Sequence, residues 1–148
     1  MGNADAPEYG PYIKMQMPPA PVAALQSPTA PTVAYRKTIV SYYGCRNTRE
    51  CPHPDRFYGK RTASGEPLLY RTTDTHPTVA HRSLPFGTLV RFRNPRSGQT
   101  VVARVNDRGP FVTHREFDLS LPAAQSLGII AQGISHVEYS IVGRVATG

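Results

Sequence analysis

Leu89-Val90-Arg91-Phe92-Arg93 and, beyond Asn94-Pro95-Arg96-Ser97-Gly98-Gln99, Thr100-Val101-Val102-Ala103-Arg104-Val105 make up the stretch on which the fold turns. In the first run Val90 and Phe92 fall on one face and Arg91 and Arg93 on the other; in the second Val101, Ala103 and Val105 share a face. A period of two marks a half-buried strand, because successive side chains leave a pleated backbone on opposite sides. Two such runs separated by Asn-Pro and Ser-Gly predict an antiparallel hairpin.

The same texture continues in both directions. Thr38-Ile39-Val40-Ser41-Tyr42-Tyr43 is β-branched and aromatic and stops at Gly44, while Val137, Tyr139 and Ile141 alternate with Glu138, Ser140 and Val142. Both read as strands. One segment has helical punctuation: Ser120 as N-cap, Pro122 in the first turn, Ala123 to Leu127 as body and Gly128 as stop. Short strands with one small helix predict a mainly β fold, closed as a compact barrel over residues 35–148. Residues 1–34 differ, holding seven of the fifteen prolines, and predict an extended linker or tail. That segment has neither the basic start nor the apolar core of a secretory leader, so a processed form or another export route is expected. A lipidated cysteine near the start is likewise not expected in this chain.

Composition sets the outer limits. The chain has 148 residues, 39% of them hydrophobic, enough for one domain with a core. No run reaches the roughly 18 apolar residues of a membrane-spanning helix, so no transmembrane segment is expected. Seventeen Lys and Arg against ten Asp and Glu give +7, which attracts polyanions at long range. The basic residues are dispersed, as at Arg36, Arg56, Arg71, Arg91, Arg104 and Arg144, and the prediction is attraction to an acidic matrix with no nucleic-acid partner. A monomer is expected. Cys45 and Cys51 close a loop short enough for a disulfide, which persists only in an oxidising compartment. Free thiols remain an alternative. So does zinc with His53, although a fourth ligand at suitable spacing is missing and no metal or cofactor is expected.

Four phrases place polar side chains beside glycine at strand ends or turns, where a rigid β scaffold presents reactive groups: Ser41-Tyr42-Tyr43-Gly44; Thr62-Ala63-Ser64-Gly65-Glu66; Ala80-His81-Arg82-Ser83-Leu84-Pro85-Phe86-Gly87-Thr88; and Val105-Asn106-Asp107-Arg108-Gly109-Pro110-Phe111 running on to Phe117-Asp118-Leu119-Ser120. Asp107 stands at a strand exit, where it can cap its own turn or serve as an acid. Asp118 precedes the helix, where it can be a buried carboxylate bonded to amides or share a groove with Asp107. A carboxylic acid kept protonated near neutral pH needs neighbours that raise its pKa.

In this order the phrases TASGE, AHRSLPFGT, VNDRGPF and FDLS closely resemble the double-psi β-barrel domain of the rare lipoprotein A (RlpA) family of lytic transglycosylases and, more loosely, the first domain of expansins. The resemblance covers about Ser41 to Val142. It implies a six-stranded double-psi β-barrel with one or two short helices and a groove for peptidoglycan glycan strands, working in the periplasm or outside the cell. It assigns catalytic roles to Asp107, His81 and Glu66, and places Asp118, Ser41, Tyr42, Tyr43, Arg108 and Thr62 with the substrate. The implied reaction cleaves the bond between N-acetylmuramic acid and N-acetylglucosamine and leaves a 1,6-anhydro end, with Asp107 first as acid and then as base. The segment Cys45 to Tyr58 is longer than the family pattern requires, as is the spacing from Glu66 to His81. A non-catalytic wall-binding or wall-loosening module of expansin or barwin type is the alternative, because a fold does not guarantee activity.

Overall fold

The computed structural model describes residues 32–45, 55–68 and 77–146. Within them the chain forms β1 (Arg36–Tyr43), β2 (Thr78–His81), β3 (Thr88–Arg93), β4 (Thr100–Asp107), β5 (Phe117–Ser120), α1 (Leu121–Leu127) and β6 (Ser135–Arg144). The strands close into a ring in the order β1-β5-β2-β4-β3-β6. Two neighbouring pairs, β1 with β5 and β2 with β4, are parallel and the others antiparallel. Closure leaves every strand paired on both sides, so no edge is open to another chain. The linker expected over 1–34 falls almost wholly outside the described residues.

The predicted hairpin is β3–β4. Asn94 N–H donates to Gln99 O at 2.9 Å and Gly98 N–H to Asn94 O at 2.8 Å, with Gly98 at φ 78°. β3 alternates buried and half-buried as its pattern requires, so Val90 and Phe92 enter the barrel. There they meet Val40, Val79, Ala103, Val105, Phe117, Leu119 and Val137. Phe117 is central: its ring meets Phe92 edge-on at 5.0 Å and Tyr139 at 4.8 Å, geometries that suit the aromatic quadrupole.

Two expectations are corrected. Ile141 does not continue the buried face of β6. Leu89 pairs with Gly143 and Val90 with Ile141, so Val142 is an extra residue, and both Ile141 and Val142 are exposed. The helix begins and ends where predicted, with Pro122 in its first turn and Gly128 at φ 70° donating to Ala124 O and Gln125 O, but Ser120 does not cap it with its side chain. Instead Ser120 Oγ accepts the Thr78 amide at 3.1 Å and ties the end of β5 to the start of β2. Asp118 lies in β5, just before the helix as expected.

Candidate active face

Pairing register decides where the acidic groups point. Val79 on β2 faces Val105 on β4, and both enter the core, but the next partners are Ala80 and Asp107. Asn106 is the extra residue. Without this bulge Asp107 would share the inward side of Val105; with it, Asp107 shares the face of Ala80. Ala80 pairs in turn with Asp118 on β5, and Asp118 with Ser41 on β1. Four adjacent strands therefore carry Ser41, Asp118, Ala80 and Asp107 in one row on the outside of the barrel. Tyr43, two residues beyond Ser41 on the same face, packs with Ala80 and Leu68.

Asp107 is held firmly as an acceptor. Tyr43 Oη donates to its Oδ2 at 2.8 Å, while the amides of Ala63 and Arg108 donate to its Oδ1 at 2.9 and 2.8 Å. Three donors on one carboxyl fix its orientation. The Ala63 donor is placed by the turn around it. Thr62 N–H and Oγ1 both donate to Glu66 O, Gly65 takes φ 93° to close the turn, and Ser64 N–H donates to Asn106 O. Glu66 fixes this turn to β4 through a two-pronged ion pair with Arg104, at 2.6 and 2.8 Å. That guanidinium holds the Glu66 carboxyl below the usual carboxylate range.

Asp118 is situated differently. Ser41 Oγ donates to its Oδ1 at 3.2 Å. Burial pushes its pKa up to about 6, against the opposing pull of Ser41 and Arg115, and Asp55 and Asp107 add like-charge repulsion. Asp55 is itself fixed by the amides of Gly44 and Cys45 on Oδ2, at 2.6 and 3.0 Å, and by that of Phe57 on Oδ1 at 2.9 Å. The row thus pairs an anchored carboxylate with a carboxyl that exchanges its proton close to neutral pH. Such a pair can protonate a leaving oxygen and stabilise positive charge beside it.

The other sequence-selected residues are distributed around this row. His81 faces the barrel end rather than the row: its ring lies 4.8 Å from Phe117, its Nδ1 accepts the amides of Ser83 and Leu84, and its Nε2 is 3.8 Å from Glu116 Oε1. Burial lowers the His81 pKa more than Glu116 raises it. Arg108 is drawn into the scaffold, with Nη1 on the carbonyls of His81 and Leu84 and its guanidinium 4.0 Å from the centre of the Phe86 ring. Tyr42 packs toward the core and donates to Ile130 O at 2.8 Å. Cys45 is buried and is not a free thiol, whereas Cys51 and His53 lie outside the described residues. Among the described residues no cluster of three or more His, Cys, Asp or Glu is placed to hold a metal.

Sequence reasoning missed Asp55, Arg104 and Glu116. Asp55 left one signal, an Asx-type bond to the amide two residues on. Arg104 and Glu116 act across strands remote in sequence and left none.

Residues 53–139 match a protein-family model described as "Lytic transglycolase". A probable endolytic peptidoglycan transglycosylase RlpA of Nostoc sp. is 46% identical over 106 residues, 72% of this chain and 25% of that protein. The endolytic peptidoglycan transglycosylase RlpA of Neisseria meningitidis serogroup A is 45% identical over 83 residues, 56% and 33% of the two chains. A probable counterpart in Aquifex aeolicus is 41% identical over 108 residues, 73% and 42%. The chain therefore spans 25% to 42% of the length of these relatives. Among solved structures, a Clavibacter michiganensis expansin in complex with cellohexaose superposes with a TM-score of 0.53 at 19% identity, covering 78% of this chain and 54% of that one. The Streptomyces papain inhibitor gives 0.50 at 19% identity, covering 76% and 98%. These two likenesses concern the fold. The bulged row of acids, the closed six-strand ring and the family match over 53–139 lead to one placement: the chain belongs to the lytic transglycolase family of double-psi β-barrels.

Proposed function

We propose that this barrel is the catalytic unit of an endolytic peptidoglycan lytic transglycosylase acting outside the cytoplasm, where peptidoglycan lies. The observation that carries the reading is Asp118, a carboxyl that burial pushes up to about 6, beside the anchored Asp107 in one outward-facing row of the barrel. Asp118 in its protonated form donates to the glycosidic oxygen as the bond to the muramoyl anomeric carbon breaks. Asp107, fixed in place by Tyr43 and by the amides of Ala63 and Arg108, faces the positive charge that develops there. The muramoyl C6 hydroxyl closes onto the anomeric carbon, and its proton passes to the Asp118 carboxylate, which is thereby reset. Water is not consumed, and the product carries a 1,6-anhydro end.

This distribution exchanges the roles suggested by resemblance, in which Asp107 was the acid. Asp107 is engaged as an acceptor by three donors, while burial and two like charges favour the protonated form of Asp118. Glu66 and His81 then act as positioning residues, Glu66 through the turn that carries Ala63 and His81 through the β2–β3 turn. Ser41 and Tyr43 border the substrate. A disulfide between Cys45 and Cys51 belongs to the same reading, since an oxidising compartment preserves it.

The test is digestion of purified sacculi with mass spectrometry of the soluble products. Fragments with anhydro ends are expected from the wild type and not from Asp118→Asn. Retention on insoluble wall with no soluble fragments would assign the barrel to wall binding instead.

A further inference from the structure

The turn Asp55-Arg56-Phe57 lies against the acidic row at two points. Asp55 is near enough to Asp118 to repel its charge, and the Phe57 ring meets the Tyr43 ring at 5.8 Å with the planes 73° apart. Tyr43 in turn donates to Asp107. The turn is fixed by its own backbone. Phe57 N–H donates to Asp55 Oδ1 at 2.9 Å and Lys60 N–H to Phe57 O at 3.0 Å, while the other Asp55 oxygen holds the amides of Gly44 and Cys45. Phe57 is nevertheless 43% exposed, whereas Tyr43 is buried and Tyr42 packs toward the core. The exposed part of a large apolar ring contributes nothing to the fold, since the hydrophobic gain comes only with removal from water. Of these three rings, Phe57 is the one that offers aromatic surface beside the row. Arg56 rests over it with Cζ 5.1 Å from the ring centre and is itself exposed, so it yields to a ligand and supplies donors at its side.

We infer that Phe57 is a substrate-binding residue, the stacking platform for one pyranose ring of the glycan strand adjacent to the bond that is cut. The inference rests on the proposed function and deepens it by naming the contact that holds the strand on the row. A pyranose has C–H bonds on its faces and hydroxyls around its rim. A flat ring takes the C–H face on its negative π surface and leaves the rim free to hydrogen-bond. Asp107 and Asp118 act on the glycosidic oxygen and the anomeric carbon and give the sugar no apolar contact. Phe57 gives it one at a fixed distance from both acids.

The test uses the full chain and a soluble glycan oligomer stripped of its peptides. Binding is measured by calorimetry in the Asp118→Asn background, where the strand is not cut, and KM and kcat for anhydro-end release are measured with Asp118 in place. Phe57→Leu keeps an apolar side chain but no flat face. It should weaken binding and raise KM about tenfold with kcat changed by less than about twofold, the pattern of a lost binding contact. Phe57→Tyr should stay within about twofold of the wild type on both measures. NMR of the Asp118→Asn protein adds a readout that no substitution at Phe57 can confound, since the Phe57 ring protons should shift as glycan is added. Ring protons unmoved by saturating glycan would overturn the platform. Unchanged binding and KM in Phe57→Leu, with anhydro ends still released, would overturn it and leave the lytic reading standing. A fall in kcat at constant KM would do the same, because Phe57 would then act through Tyr43 on Asp107. Weakened binding in Phe57→Leu, from a wild type that releases no anhydro ends, would sustain the platform and sink the lytic reading.

Discussion

Two carboxyl groups on β5 or at its entry lie two residues apart and are treated in opposite ways. Glu116, at the barrel end, receives hydroxyl donors on both oxygens, from Thr38 and Tyr139, and has His81 at 3.8 Å. Asp118, on the outer row, receives one longer bond from Ser41 and is repelled by Asp55 and Asp107. The difference lies in the number of donors each carboxyl meets for its degree of burial. Glu116 has a hydroxyl donor for each oxygen, whereas Asp118 loses water with a single longer bond in exchange, and burial raises its pKa.

The largest expected effect breaks this contrast at Asp118. Asp118→Asn should lower the rate of anhydro-end release by at least about 100-fold, the scale of lost general acid catalysis. Its stability should move the other way above neutral pH. The folded-state pKa is raised from 3.8 to about 6, so the native protein binds more protons than the unfolded chain in that interval and loses stability as pH rises through it. Over the whole window the loss is about 3 kcal/mol, complete above pH 6 and absent below the ordinary carboxylate range. Urea denaturation at several pH values should show this decline in the wild type and its disappearance in the Asn variant. A parallel decline in both proteins would place the proton elsewhere.

The next effect comes from loosening Asp107. Tyr43→Phe removes the donor to Oδ2 but leaves the two amides on Oδ1. A hydrogen bond to a charged group contributes roughly 1.5–3 kcal/mol, and an activity loss of about tenfold follows if half of that acts at the reacting centre. Steady-state rates on stripped glycan measure it, and an unchanged rate would show that Asp107 needs no help from Tyr43. Glu66→Gln should do less. The Glu66 side chain is 43% exposed, so solvent screens its pair with Arg104 and the stability loss should stay below about 1 kcal/mol. Because the Glu66 pKa is lowered, that contribution is present at neutral pH and fades as pH falls through the acid range.

Much of this contrast could not be read from the sequence. The hairpin, β1 and α1 were legible because period-two alternation, Pro122 and Gly128 are local signals. β2 and β5 were not, since four residues place too few side chains inward to show a period and their partners are distant in the chain. The phrases singled out Asp107 and Asp118 as candidates, but the outward aim of Asp107 depends on the extra residue Asn106, which only the register reveals. The separation of His81 from the row had the same cause. His81 pairs with Phe117 and shares its face, one residue beyond the outward Ala80.

The smallest effect sharpens the comparison from its other side. Glu116→Gln keeps the shape of the barrel end but removes the charge that pulls against burial at His81. The His81 pKa already lies below its ordinary value because burial outweighs Glu116, with Arg82 and Arg108 acting in the same direction as burial. Removing the attraction of Glu116 lowers it further, and an NMR titration of the imidazole should record a more acidic midpoint. Tyr139 responds in the same sense, because Glu116 helps hold its phenol above the usual range and an amide would let it fall. Anhydro-end release should change by no more than about twofold, since neither Thr38 nor Tyr139 borders the acidic row and a neutral acceptor preserves most of each hydrogen bond. A large loss of activity here, with the Asp118 pH dependence intact, would move catalysis from the outer row to the barrel end.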